Sequence, residues 1–186
     1  MKINLPNKLT LIRILMIPVF VAFALVPHFW AQIVGAVLFV AACITDALDG
    51  KIARRDGLVT NFGKFADPIA DTILVTSAMI VLVAQNRMPA WVCILILARE
   101  FAVSGFRMVA AGKGEVIAAG WLGKIKTTLQ MVAVPCLMVL VPIDGFAMWG
   151  LFGIVLANIA MYLCLIMTIW SGADYILKND HYIKDL

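Results

Sequence analysis

Charge is scarce in this sequence. Asp, Glu, Lys and Arg make up 14% of the 186 residues and hydrophobic residues 63%, where an ordinary soluble domain carries about 25% charged and about 45–50% apolar residues. The shortfall excludes a soluble fold, which could not hide so much apolar surface. Histidine is nearly absent, and His28 and His181 stand alone, without metal-ligand company. The cysteines, Cys43, Cys93, Cys136 and Cys164, lie singly in apolar stretches with no C-x-x-C pair. Neither a zinc site nor a disulfide framework is indicated, and they read as packing residues. Internal repeats, low-complexity segments and nucleic-acid-binding modules are also missing. The net charge of +4 therefore points to anionic head groups and phosphates and not to nucleic acid. No A-x-A-like site promptly follows the first apolar run, so that run is expected to stay as a helix.

What is present is a series of apolar segments at about 9–27, 30–52, 64–85, 89–110, 121–142 and 146–177, separated by short breaks such as Val26-Pro27-His28 and Pro142-Ile143-Asp144-Gly145. At about 20 residues per bilayer crossing, these predict an all-α polytopic membrane protein with six transmembrane helices in one domain, 1–186. Residues 1–8 are too short to cross and are expected to lie along the interface. All basic residues except Arg87 and Arg99 fall at the segment ends on the side of the N-terminus. Short loops rich in Lys and Arg remain cytoplasmic, so both termini are expected there.

One stretch departs from the apolar pattern. Asp46 and Asp49 close the second segment, and Asp67 and Asp71 open the third. An ionised residue at the centre of a span costs roughly 2.5–3.5 kcal/mol on insertion scales, so four acids need cations, water or shallow depth. A spacing of three in one pair and four in the other puts each pair on one helix face, and the hairpin between can bring the faces together. Four carboxylates from two helices form a hard oxygen-rich site suited to Mg²⁺ or Mn²⁺, with room for two ions, and such ions favour a diphosphate substrate. Gly50 and Gly63 leave the backbone open to close approach by a ligand. Pro68 either kinks the third helix or marks its first turn; a helix already running from about Asn61 keeps Gly63, Asp67 and Asp71 on one face. The competing reading is a salt-bridge cluster with Lys51, Arg54, Arg55 and Lys64 that anchors the hairpin. It explains poorly why the acids align on two faces.

Asp46, Asp49, Gly50, Ala53, Arg54, Gly63, Asp67 and Asp71 together spell D-x-x-D-G-x-x-A-R, eight residues, then G-x-x-x-D-x-x-x-D. This resembles the signature of the CDP-alcohol phosphotransferases. The resemblance implies that Asp46, Asp49, Asp67 and Asp71 hold divalent metal against the diphosphate of CDP-diacylglycerol. It further implies that Gly50, Ala53 and Arg54, with Gly63 and Asp49, receive that donor, and that Asp71 is the general base toward the acceptor hydroxyl. A homodimer in the bacterial cytoplasmic membrane, with its active site on the cytoplasmic side, is implied as well.

Outside the signature, Asn4-Leu5-Pro6-Asn7 with Leu9, Thr10 and Arg13, Ala98-Arg99-Glu100-Phe101 with Gly105 and Arg107, and Gly123-Lys124-Ile125-Lys126-Thr127 are similar to the bacterial phosphatidylglycerophosphate synthases. Thr72 departs from that pattern, which more often has lysine there. Arg99, Arg107, Lys124 and Lys126 offer a cationic pocket for an acceptor carrying its own phosphate, glycerol 3-phosphate. Alternatively, the last three of these simply sit at span ends. Other acceptors, namely inositol phosphate, serine or phosphatidylglycerol, and a cation transporter with intramembrane acids, are the rival readings. Asp174 reads as an interfacial group.

Overall fold

A computed structural model describes residues 5–55, 61–112, 120–141 and 149–178; for 5–9, 47–55, 61–66, 68, 109 and 111–112 the description is of backbone alone. Six helices account for nearly all of it: α1 (Leu5–Leu25), α2 (Phe29–Arg55), α3 (Asn61–Ala84), α4 (Ala90–Gly112), α5 (Trp121–Leu140) and α6 (Gly150–Lys178). No strand occurs among the described residues. The described residues form an all-helical arrangement consistent with a membrane protein.

Helix α1 begins at Leu5, so residues 5–8 of the expected interfacial segment are its first turn, while 1–4 lie outside the described residues. Pro6 fits there because the first N–H groups of a helix have no intrahelical partner. Helix α3 starts at Asn61 and runs through position 68, the placement expected from the aspartate spacing. Pro18 in α1 and Pro135 in α5 each remove a backbone donor. Neighbouring helices and local adjustment satisfy the freed carbonyls in membrane helices.

Among the described residues three helices are long and apolar enough to cross a membrane, over Phe29–Asp46, Trp121–Leu140 and Gly150–Lys178, and shorter apolar stretches run over Thr10–Leu25 and Ile69–Ala84. Charge lies within the other helices: Arg13 in α1, Asp67 and Asp71 in α3, and Arg99, Glu100 and Arg107 in α4. The outward faces remain apolar, with Leu15 69%, Ile94 64% and Leu151 77% exposed. In water such surface would drive association; against lipid it is matched.

Helix α1 packs on α2 and α3, α2 on α5, and α6 on both α5 and α4. The shared core is built from Phe20, Phe39, Leu74, Leu82, Leu137 and Met161, with small residues such as Ala24, Ala42, Ala133 and Ala157 at the crossings. Small residues let helix backbones approach in a bilayer, where packing and not water drives association. The Phe20 and Phe39 rings meet at 5.8 Å.

Candidate active site

Asp46, Asp67 and Asp71 meet at one end of the bundle beside residues of α1. Arg13 is fully buried, and its Nη1 lies 2.9 Å from Asp46 Oδ1 on α2 and 3.0 Å from Asp71 Oδ1 on α3. A single nitrogen thus ties two helices together. The two carboxylates remain partly exposed, at 28% and 41%. Thr10, one turn before Arg13, donates its hydroxyl to Asp67 Oδ1 at 2.6 Å. Asp67 and Asp71 stand one helical turn apart, so α1 holds both through residues likewise about a turn apart.

The donor set is all oxygen, which fits Mg²⁺ or Mn²⁺. Among the described residues no three carboxylate, histidine or cysteine side chains form a cluster able to hold an ion by themselves. The side chains of Asp49, Gly50, Ala53, Arg54 and Gly63 fall outside the described residues, so their placement as ligands or donor contacts stays an expectation.

The expected cationic group divides into two kinds. Lys126, 3% exposed, is paired with Glu100, whose Oε1 also accepts from Arg99 Nη1 at 3.3 Å. Glu100 therefore balances buried charge contributed by α4 and α5, a larger part than the partial offset its sequence position suggests. Arg107 has no carboxylate partner among the described residues; its guanidinium carbon sits 5.5 Å from the centre of the Tyr175 ring. Lys124 is exposed. Arg99 Nη2 donates to Ser171 Oγ at 3.0 Å.

Two cavities connect these groups. One of about 220 Å³ opens between α3, α4 and α5, lined by Asp71, Thr72, Glu100, Arg107, Lys126 and Gln130 among others. The other, about 330 Å³, is lined by Arg99, Glu100, Arg107, Lys124 and Thr127 with their neighbours. Asp71 thus shares a cavity with Arg107 and Lys126, while Arg107 and Glu100 line both. Thr72, the departure from the lysine pattern, faces the first cavity. A third cavity, about 450 Å³, is entirely apolar and runs along α2 from Ile33 to Ile44 with Val139.

By sequence reasoning Arg13 is one of the basic residues on the side of the N-terminus, and Thr10 and Arg13 enter only as part of the opening pattern, with no partner assigned to either. Depth is the signal that could have found them, because an arginine inside a first span needs a partner, and the acids are its natural ones. Ser171 reads from the sequence only as one polar residue of the last segment, and Tyr175 does not stand out at all. No local pattern marks either of them, since each meets its arginine across a helix interface. Asp174, expected to be interfacial, pairs with Lys178 one turn on at 2.8 Å.

Comparison with known proteins bears on the same region. The sequence model of the CDP-alcohol phosphatidyltransferase family matches residues 3–170. The chain is 44% identical to a CDP-diacylglycerol–glycerol-3-phosphate 3-phosphatidyltransferase of Bacillus subtilis (strain 168), covering 97% of each chain. It is 40% identical to a protein of the same name from Salmonella paratyphi A, over 95% of this chain and 94% of the relative. A probable phosphatidylglycerophosphate synthase of Mycobacterium tuberculosis is 39% identical over 94% of this chain and 81% of its own length.

Proposed function

Because the chain belongs to the CDP-alcohol phosphatidyltransferase family, we infer that it transfers the phosphatidyl group of CDP-diacylglycerol to glycerol 3-phosphate, giving phosphatidylglycerophosphate and CMP. Relatives at 44% and 40% identity, nearly full length, carry that activity in their names. The observation that carries the reading is the cavity shared by Asp71 with Arg107 and Lys126, which sets a carboxylate beside cations that suit a phosphate-bearing acceptor.

In this reading the donor's diphosphate lies at Asp46, Asp49, Asp67 and Asp71, next to Gly50, Ala53, Arg54 and Gly63. Its acyl chains lie against apolar surface such as the groove along α2. Two Mg²⁺ or Mn²⁺ ions held by the four aspartates would neutralise charge on the diphosphate and make the acceptor hydroxyl more acidic. Arg13 fixes the Asp46 and Asp71 carboxylates in orientation. Arg107 and Lys124, with Arg99, hold the acceptor's phosphate through charge-assisted hydrogen bonds. Lys126, matched by Glu100, shapes the wall between the acceptor and Asp71. Asp71 accepts the hydroxyl proton as the acceptor oxygen bonds to the lipid-linked phosphorus. The bond from that phosphorus to the oxygen bridging toward cytidine breaks, and CMP leaves with the electron pair.

The placement that goes with this chemistry is one membrane domain, 1–186, of six spans in the bacterial cytoplasmic membrane. Both termini and the site are cytoplasmic, and the protein is a homodimer. The clustering of basic residues at one set of helix ends supports the orientation.

The test is a purified-protein assay with labelled CDP-diacylglycerol and separate acceptors: glycerol 3-phosphate, glycerol, inositol phosphate, serine and phosphatidylglycerol. Label should pass to glycerol 3-phosphate alone, with release of CMP. Transfer to another acceptor in preference would reject the assignment. Excess EDTA should abolish turnover and added Mg²⁺ or Mn²⁺ restore it; full activity in EDTA would reject the metal.

A further inference from the structure

Helix α6 contributes nothing to the aspartate pattern, yet three of its residues meet both arginines of α4. Ser171 accepts from Arg99 Nη2 at 3.0 Å, while its own hydroxyl donates to the carbonyl of Thr168 at 3.2 Å. Gly172 leaves the space that the Arg99 stem fills, for a β-carbon there would stand 2.8 Å from Arg99 Cγ. One turn beyond Ser171, Tyr175 offers its ring to the Arg107 guanidinium at 5.5 Å, and Phe106 closes on the same ring edge-on at 6.1 Å and 85°. Ser171, Gly172 and Tyr175 are all buried. Arg107 Nε is also buried and finds no hydrogen-bond partner among the described residues.

The manner of holding matters chemically. A guanidinium paired with a carboxylate spends its donor edge on that partner, as Arg99 partly does with Glu100. A guanidinium held by an aromatic ring is bound through the cation and the π-face, and its N–H donors remain for a ligand. Arg107 is of the second kind and lines both cavities.

We propose that Ser171, Gly172 and Tyr175 are positioning residues for the acceptor: Tyr175 holds Arg107, and Ser171 with Gly172 holds Arg99, so that both guanidinium edges face the acceptor's phosphate. This rests on the acceptor assignment above.

The experiment measures kcat and KM for glycerol 3-phosphate and for CDP-diacylglycerol with the purified full chain and its Arg107→Gln, Tyr175→Leu, Tyr175→Phe, Gly172→Ala and Arg107→Gln/Tyr175→Leu variants. Tyr175→Leu should raise the acceptor KM about three- to tenfold and leave the donor KM within about twofold. Tyr175→Phe, which keeps the ring, should restore parental values, and the double variant should be no worse than Arg107→Gln alone. Gly172→Ala, which pushes on the Arg99 stem, should raise the acceptor KM in the same selective way, and it decides the matter if Tyr175→Leu does not fold. An unchanged acceptor KM in both Tyr175→Leu and Gly172→Ala, with Arg107→Gln impaired, overturns this inference alone. Equal rises in both KM values, or full additivity in the double variant, also overturn it by showing a general structural role. An Arg107→Gln variant with parental acceptor KM overturns the acceptor assignment beneath it.

Discussion

At one end of the bundle Arg13 is fully buried between Asp46 and Asp71, and at the other Arg87, 5% exposed, lies between Gln32 and the end of α5. The partners differ in kind. Arg87 Nη1 donates to Gln32 Oε1 at 2.9 Å and to the carbonyl of Met138 at 2.8 Å. Gln32 in turn donates to the carbonyls of Ala24 and Val26, and Gln85 to that of Ala24. All of these acceptors are neutral, and the carbonyls of Ala24 and Met138 belong to the last turns of α1 and α5, where a cation suits the helix dipole. Arg87 therefore ties helix ends together. Arg13 instead holds carboxylates that keep a solvent-facing side and, at Asp71, a cavity wall. A buried arginine among carbonyls serves the fold, whereas one behind half-exposed acids orients groups that still have chemistry to do.

The sharpest way to break that contrast is to neutralise one acid at the first end. Asp71→Asn keeps the size of the side chain and removes its basicity, so kcat should fall about 10²–10⁴-fold. The KM for CDP-diacylglycerol should change little, because Asp46, Asp49 and Asp67 remain for the donor. Steady-state kinetics on the purified variant decide it; a parental kcat would mean that another group takes the proton.

At the opposite end the expectation is reversed. Arg87→Met removes the donor and leaves the Gln32 and Met138 oxygens to find other partners in a buried place, a cost of about 1–3 kcal/mol for each group left unsatisfied. Thermal unfolding in detergent should shift down by several degrees. Turnover of the folded fraction at low temperature should stay near parental, since the Arg87 bonds to Gln32 and Met138 lie at the end of the bundle away from the acids. Loss of kcat without loss of stability would erase the distinction between the two ends.

The contrast also explains which parts of the molecule are legible in the sequence. Spacing is local, so the pairing of Asp46 with Asp49 and of Asp67 with Asp71, and the start of α3 at Asn61, follow from the order of residues alone. The apolar runs mark the six helices, although α1 starts at Leu5 and not after residue 8, because hydropathy marks where the bilayer begins and not where a helix does. Partnerships across helices leave no such trace. Nothing near Arg13 indicates Asp46, 33 positions on, or Asp71, 58 away. The pairing of Lys126 with Glu100 is equally hidden, and it changes the meaning of a residue that spacing alone presents as a free cation. Arg107 keeps its expected place beside the cavity, but the ring that holds it comes from a helix the pattern never touches.

The smallest effect is expected at an acid that shares the membrane end but not the arrangement. Asp174 lies near the end of α6, and Lys178, one turn on and 70% exposed, pairs with it at 2.8 Å. The Asp71 carboxylate is as exposed as many surface acids, so exposure alone does not separate the two; the difference is what lies behind each. Asp71 has a buried arginine and a cavity, while Asp174 has a lysine side chain out in solvent. An exposed i,i+4 pair contributes about 0.3–0.5 kcal/mol and is screened by salt. Asp174→Asn should therefore leave kcat and both KM values within about twofold of parental and shift the unfolding temperature by no more than about 1–2 °C. Unfolding curves at low and high salt, run beside the kinetic assay, give the measurement. A tenfold loss of activity would show that the working site extends down α6 past Tyr175, and that an acid at this end of the bundle needs no buried arginine behind it to take part.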